Sequence, residues 1–277
     1  MGRRPRAVRA AAGRRPWQYR ASREGALIRE VRIPSPFQSE QQVVDLIAAA
    51  ITPRTRGLAF CHVTRGGHLY PVKSLCETAR SQGLVTLVDG AQAVGMFPID
   101  LADLGCDAYS ASLHKWFLGP VGTGFLYVRE SARDRIRSLF AFDATREAPA
   151  FDVPGTADFP VRAALEAALR FNEAIGVDSV ARRTRYLSDY LRRRVGTLPG
   201  VTLLSGPTPA TSCPGSIIFE KQGIDAMALI PVMDEQHRIH IDEHQRDSHN
   251  AIRVSTHIYN TTAEIDRLVD VLAAIEM

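Results

Sequence analysis

The chain has 277 residues, of which 45% are apolar and 23% charged. That composition is ordinary for a folded globular protein, with enough length for one large domain or two smaller ones. No run of about 18 apolar residues occurs, so the reading excludes a membrane span.

The net charge of +4 is unevenly placed. Residues 1–16 hold six arginines and no acid, which leaves the remainder at −2. No aromatic residue able to stack on a base precedes Trp17, so a nucleic-acid arm is disfavoured. Residues 1–16 read as a disordered or artefactual tail. The four cysteines, Cys61, Cys76, Cys106 and Cys213, form no CxxC pair. That spacing argues against zinc and gives no sign of an oxidising compartment, so a cytoplasmic location is expected.

In chain order, residues 26–33 read as a strand ended by Pro34 and Pro36. Ser39 and Gln42 have the spacing of a capping box. Val43, Val44, Ile47 and Ala48 then give one apolar helical face. Residues 57–63 form a short apolar run, hence a buried strand. His62 and Thr64 stand at its end, although His62 also suits a satisfied core position. Pro71 can open a helix whose inner face is Val72, Leu75, Cys76 and Ala79. Residues 84–88 are a further buried strand, closed by Asp89-Gly90. Strands over 107–112 and 122–129 follow, the second able to pair as a hairpin. This rhythm predicts an α/β fold with a mostly parallel sheet covered by helices.

The rhythm breaks over residues 130–158, where Pro149, Pro154 and Gly155 mark a loop. Helices are predicted over 160–175 and 177–198. Short elements follow at 201–204, 216–220, 225–236, 238–241 and 251–255. Thr261 and Glu264 cap a last helix, with Val269, Leu272 and Ile275 on one side. The expected domains are therefore a partial large domain over 17–158 and a linking helix with a small α+β domain over 159–277.

In a parallel sheet, ligands bind outside the carboxyl ends of the strands. Asp89 stands at one such end. Ser112, His114 and Lys115 stand at another, with apolar Trp116, Phe117 and Leu118 following. One carboxylate and one amine thus emerge on the same rim. A pyridine cofactor needs that pairing: an amine to bond its aldehyde, and an acid to keep its ring nitrogen protonated.

VDGAQAVG (88–95), the Cys106-Asp107 strand, SLHKW (112–116) and GTGFLYVR (122–129) resemble class V aminotransferases of pyridoxal-phosphate (PLP) fold type I. Within that class the chain is similar to the isopenicillin N epimerase-like branch. WQYRASREGA (17–26), ITPRTRGLAFCHVT (51–64), PGTAD (154–158) and IRVSTHIYNTTAEIDRL (252–268) extend the resemblance over about residues 17–277.

The resemblance implies that Lys115 holds the cofactor as a Schiff base and moves the substrate Cα proton. Asp89 would pair with the ring nitrogen, and Gln92 with the phenolic oxygen. Ser112 and His114 would contact the phosphate. Thr156 would reach the phosphate of a partner subunit, implying a homodimer with shared sites. Arg253 would clamp the carboxylate of an amino-acid substrate. Epimerase, lyase and aminotransferase chemistry all start from these groups.

Family members carry an N-terminal segment with a Gly-rich, phosphate-binding helix start and a ring that stacks on the cofactor. Nothing upstream of Trp17 matches it, so a shortened chain is expected. The alternative is then a non-catalytic remnant or pseudoenzyme of the same family. Cysteine desulfurase is disfavoured, because no cysteine follows Cys213, forty residues before Arg253. His240, Asp242, His244 and His249 read as a solvated loop.

Overall fold

The computed structural model describes residues 6–10, 14–138, 151–152, 155–246 and 248–275. The large domain opens with β1 (Arg6–Ala10), α1 (Arg14–Glu24), β2 (Leu27–Glu30) and α2 (Glu40–Ala50). β3 (Thr55–Cys61), α3 (Val72–Ser81) and β4 (Val85–Asp89) continue it. α4 (Leu101–Leu104), β5 (Ala108–Ser112) and β6 (Gly124–Val128) complete it. These strands form one sheet in the order β2-β1-β3-β4-β5-β6. Pairing is parallel from β2 through β5, and β6 returns antiparallel beside β5 as the predicted hairpin strand.

For Arg6–Ala10, β1 replaces the expected tail with a strand. Arg6–Ala10 pairs with β2 on one side and with β3 on the other. Net charge hid this segment. A strand flanked on both sides satisfies its backbone groups whatever its charge.

The predicted helices form for the reasons given by their periodicity. Val43 and Ile47 of α2 and Leu75, Cys76 and Ala79 of α3 are buried against Leu58, Phe60, Val88 and Tyr109 of the sheet. Ser39 caps α2 by accepting the Gln42 N–H at 3.2 Å. Gln42 takes the N–H of Gln38 rather than that of Ser39, so the box is displaced by one residue. Pro71 sits just before α3 at its N-cap.

The second unit contains α5 (Phe159–Ala163), α6 (Leu165–Ile175), α7 (Val177–Val195) and β7 (Val201–Leu203). β8 (Ser216–Lys221), α8 (Ala226–His237), β9 (Asp242–His244), β10 (Ala251–Ser255) and α9 (Thr262–Ala274) follow. Its four strands form an antiparallel sheet in the order β7-β8-β10-β9. Leu187 and Leu191 of α7 and Leu268 and Leu272 of α9 pack on Ile217 and Phe219 of β8. Thr261 and Glu264 form a reciprocal capping box on α9. The short element predicted at 238–241 lies slightly later, at β9.

His62 and Tyr109 sit beneath the carboxyl rim of the large sheet. His62 is 6% exposed, its Nδ1 lies 2.9 Å from the Tyr109 hydroxyl, and Phe97 meets its ring edge-on. It is therefore a core histidine, and burial lowers its pKa from the usual 6.5 to about 4. A group that resists protonation when folded favours the unfolded state in acid. The contribution of His62 to stability is present above about pH 6.5 and is lost as pH falls toward 4, by up to about 3 kcal/mol. Urea midpoints measured across that window should fall with pH. His62→Gln should flatten the profile, and an unchanged slope in that variant would assign the effect elsewhere.

Candidate active site

The site lies where parallel strands end and the small sheet approaches. Cys61 and Asp89 are register partners at the ends of β3 and β4. Asp89 Oδ1 accepts the Ala91 N–H at 3.0 Å, which turns the chain sharply and fixes the carboxylate. Two glycines make this turn possible. A side chain at Gly90 would enter the fully buried Tyr109 ring. Gly95 has φ +89°, and a Cβ there would lie 2.5 Å from the Phe117 nitrogen. The VDGAQAVG turn thus rests directly on the backbone that follows Lys115.

That backbone is itself tied down. Leu113 N–H donates to Thr123 O at 3.0 Å, and Gly119 N–H donates to Leu113 O at 2.7 Å. Trp116 is 5% exposed and donates its indole N–H to Gln92 Oε1 at 3.1 Å. Its carbonyl lies 3.1 Å from His257 Nε2, and its ring stacks on His257 at 5.1 Å. His257 Nδ1 accepts the Ile258 N–H, so the ring is a neutral donor toward Trp116. Burial lowers the His257 pKa in keeping with that state. Lys115 is therefore anchored by its neighbour to both domains.

Asp89, Gln92 and Lys115 line one cavity of about 390 Å³ together with Arg253 of β10. Cys61, Val63, Arg65, Ala91 and Asp242 complete its wall. Four of the sequence-predicted residues are thus brought together. Ser112 is half-buried at the end of β5, and His114 and Thr156 are exposed. None of these three lines the cavity. The sequence did not single out Arg65, and it read Asp242 as part of a solvated loop. Arg65 stands on the same rim as His62 and Thr64, which was the available signal. Asp242 gave none, because it reaches the cavity through pairing of β9 with β10.

Arg253 is largely withdrawn from water, with a side chain 14% exposed. Burial lowers its pKa, opposed by the nearby Asp242 carboxylate. Its Nη1 lies 3.3 Å from Asp242 Oδ2, and its Nε is buried without a hydrogen-bond partner. A buried guanidinium with unused donors suits a planar carboxylate. Among the described residues, no three His, Cys, Asp or Glu side chains are grouped to hold a metal. No helix there is long and apolar enough to cross a membrane.

The donor set fits the ring end of a pyridoxal group. The cavity volume is within the range of small-molecule sites. An amine and a carboxylate face one space, and Gln92, its oxygen taken by Trp116, has its amide N–H groups to offer.

The chain belongs to the class V aminotransferases: the family model described as "Aminotransferase class-V" matches residues 7–268. The match begins ten residues earlier than the sequence resemblance and takes in all of β1 but Arg6. Enzymes of this family use PLP, which is therefore this chain's cofactor. An isopenicillin N epimerase of Amycolatopsis lactamdurans is 33% identical, over 92% of this chain and 69% of the relative. One of Streptomyces clavuligerus is 32% identical, over 94% and 70%. A probable cysteine desulfurase of Xylella fastidiosa is 28% identical, over 93% and 65%. Among solved structures, the cystine C-S lyase C-DES in complex with cysteine persulfide superposes with TM-score 0.88 at 23% identity. That match covers all of this chain and 77% of the other, and it bears out the α/β fold expected from the sequence.

Proposed function

We propose that this chain moves the Cα proton of an amino-acid substrate, as an epimerase does, with Lys115 as the proton-carrying base. The observation that supports this reading is the shared cavity, in which Asp89, Gln92 and Lys115 face Arg253 from the opposite domain. Bound PLP supplies an electron-withdrawing ring that acidifies the Cα–H bond.

The protein's residues then have separate tasks. Arg253 receives the substrate carboxylate and so fixes which bond of Cα points at Lys115. Lys115 Nζ takes the proton from one face of Cα, and return of a proton to the opposite face inverts the centre. Asp89, held by the Ala91 N–H, would pair with the ring nitrogen. Gln92 offers its amide N–H to the phenolic oxygen. Ser112 and His114 are assigned to the phosphate at the rim. Exposed Thr156 is assigned to the phosphate of a second copy, which makes the working unit a homodimer.

Epimerisation is preferred to desulfuration on a specific ground. Desulfuration needs a mobile nucleophilic thiol near the carboxylate site. All four cysteines here are buried, and Cys61, which lines the cavity, sits on a strand. Burial pushes Cys76 up to about 12 and Cys106 up to about 11, and it raises Cys213 as well.

The test is exchange at Cα. Purified protein with added PLP is incubated in deuterated water with a panel of L-amino acids and isopenicillin N, the compound in those relatives' names. Deuterium should enter at Cα, and one stereoisomer should yield both. Binding of PLP without any Cα exchange would sink the reading and favour the non-catalytic alternative, which the position of Ser112 and His114 off the cavity wall supports.

A further inference from the structure

One carboxylate oxygen lies between two guanidinium groups from different domains. Asp242 Oδ2 is 2.6 Å from Arg65 Nη2 and 3.3 Å from Arg253 Nη1. Arg65 comes from the turn after β3, and Asp242 and Arg253 are register partners on β9 and β10. All three line the cavity that holds Lys115.

The three residues are not equivalent. Arg65 has further partners, the Glu243 carboxylate at 3.2 Å and the Glu243 carbonyl at 2.8 Å. Asp242 is the ionic partner of Arg253, and that contact exceeds the usual length of a charge-assisted bond, about 2.7–2.9 Å. The Asp242 side chain is 48% exposed, against 14% for Arg253. The carboxylate is therefore the movable member and the guanidinium the fixed one. An uncompensated buried guanidinium is strongly unfavourable, so Arg253 needs an anion whether or not substrate is present.

We propose that Asp242 is a displaceable internal carboxylate, which occupies Arg253 until a substrate carboxylate arrives and then moves wholly onto Arg65. This rests on the reading that Arg253 receives the substrate carboxylate. Substrate exchanges one carboxylate for another at the buried Arg253, so that site never loses its counter-charge. Arg65 already holds the shorter contact, so the shift needs only a small rotation of Asp242. The move strengthens a link between the β3 turn and β9, and hence between the domains, when the site fills. The turn is built to lie close: a Cβ on Gly67, at φ +75°, would collide with the Ser216 carbonyl at the start of β8. Asp242 is thus a positioning residue that competes with substrate for Arg253.

Competition and simple support predict opposite signs. Propionate serves as the probe, titrated calorimetrically into the full chain without PLP or turnover. Asp242→Asn and Asp242→Ser should each bind it about tenfold more tightly than the unaltered chain. Arg65→Gln should weaken binding, because Asp242 then has only Arg253. Arg253→Gln added to Asp242→Asn should remove the gain. Both variants binding propionate equally well or more weakly, while melting like the parent, would overturn the proposal and make Asp242 a scaffold for the arginines. Two variants guard against one that fails to fold. The titration needs neither cofactor nor catalysis, so its failure and the failure of the Cα exchange test are told apart.

Discussion

Lys115→Ala should abolish turnover while leaving the fold intact. The loss expected on removing a positioned proton carrier is about 10²–10⁴-fold, and more where the same amine also bonds the cofactor. The visible absorption that appears when a protein amine bonds PLP should vanish with it. Stability should change little, because the loop is held by Trp116, Leu113 and Gly119 rather than by the lysine itself. Far-UV circular dichroism and a melting curve check the fold. The band and Cα exchange check the chemistry. A variant that kept both would remove Lys115 from its role.

Asp107→Ala should do the reverse, destabilising the large domain without touching its chemistry. Asp107 precedes β5, at the opposite end of that strand from Lys115. It is 5% exposed. Its Oδ2 accepts the Thr86 N–H at 2.8 Å and the Thr86 hydroxyl at 3.1 Å. Thr86 Oγ1 in turn accepts the Asp107 N–H at 2.8 Å. The other carboxylate oxygen pairs with Arg129, whose side chain is 31% exposed. Alanine would strand a buried N–H and leave a partly buried guanidinium unpaired. Breaking such a pair from one side costs about 3–5 kcal/mol, and the partial exposure of Arg129 puts the expected loss near about 3 kcal/mol. Urea midpoints should show it, with Asp107→Asn milder because the amide oxygen can still accept. A loss under about 1 kcal/mol would mean that water replaces the carboxylate.

These two residues also show what the sequence could reveal. Asp107 and Asp89 are both placed by strand periodicity, one just before its strand and one at the end of its strand. The rim that carries the cavity is legible because apolar runs mark strands and their carboxyl ends must coincide in a parallel sheet. Orientation beyond the strand end is not. Lys115 lines the cavity and His114, one residue earlier, is exposed. Periodicity stops where the strand stops, so nothing local distinguishes them. Arg65 and Asp242 escaped for another reason. They meet across two sheets and 177 residues of chain, and only the closed fold makes them neighbours. Arg6–Ala10 is hidden because the arginine-rich composition extends over sixteen residues, whereas pairing is decided over five.

The chain has two tryptophans, Trp17 and Trp116. Trp116 adjoins Lys115, hydrogen-bonds Gln92 and stacks on His257 from the other domain. Its indole therefore senses two quantities at once, what occupies the neighbouring space and how the two halves are tilted. Once Trp17 is replaced by phenylalanine, the light it emits becomes a native gauge of ligand arrival, readable in real time without any attached dye.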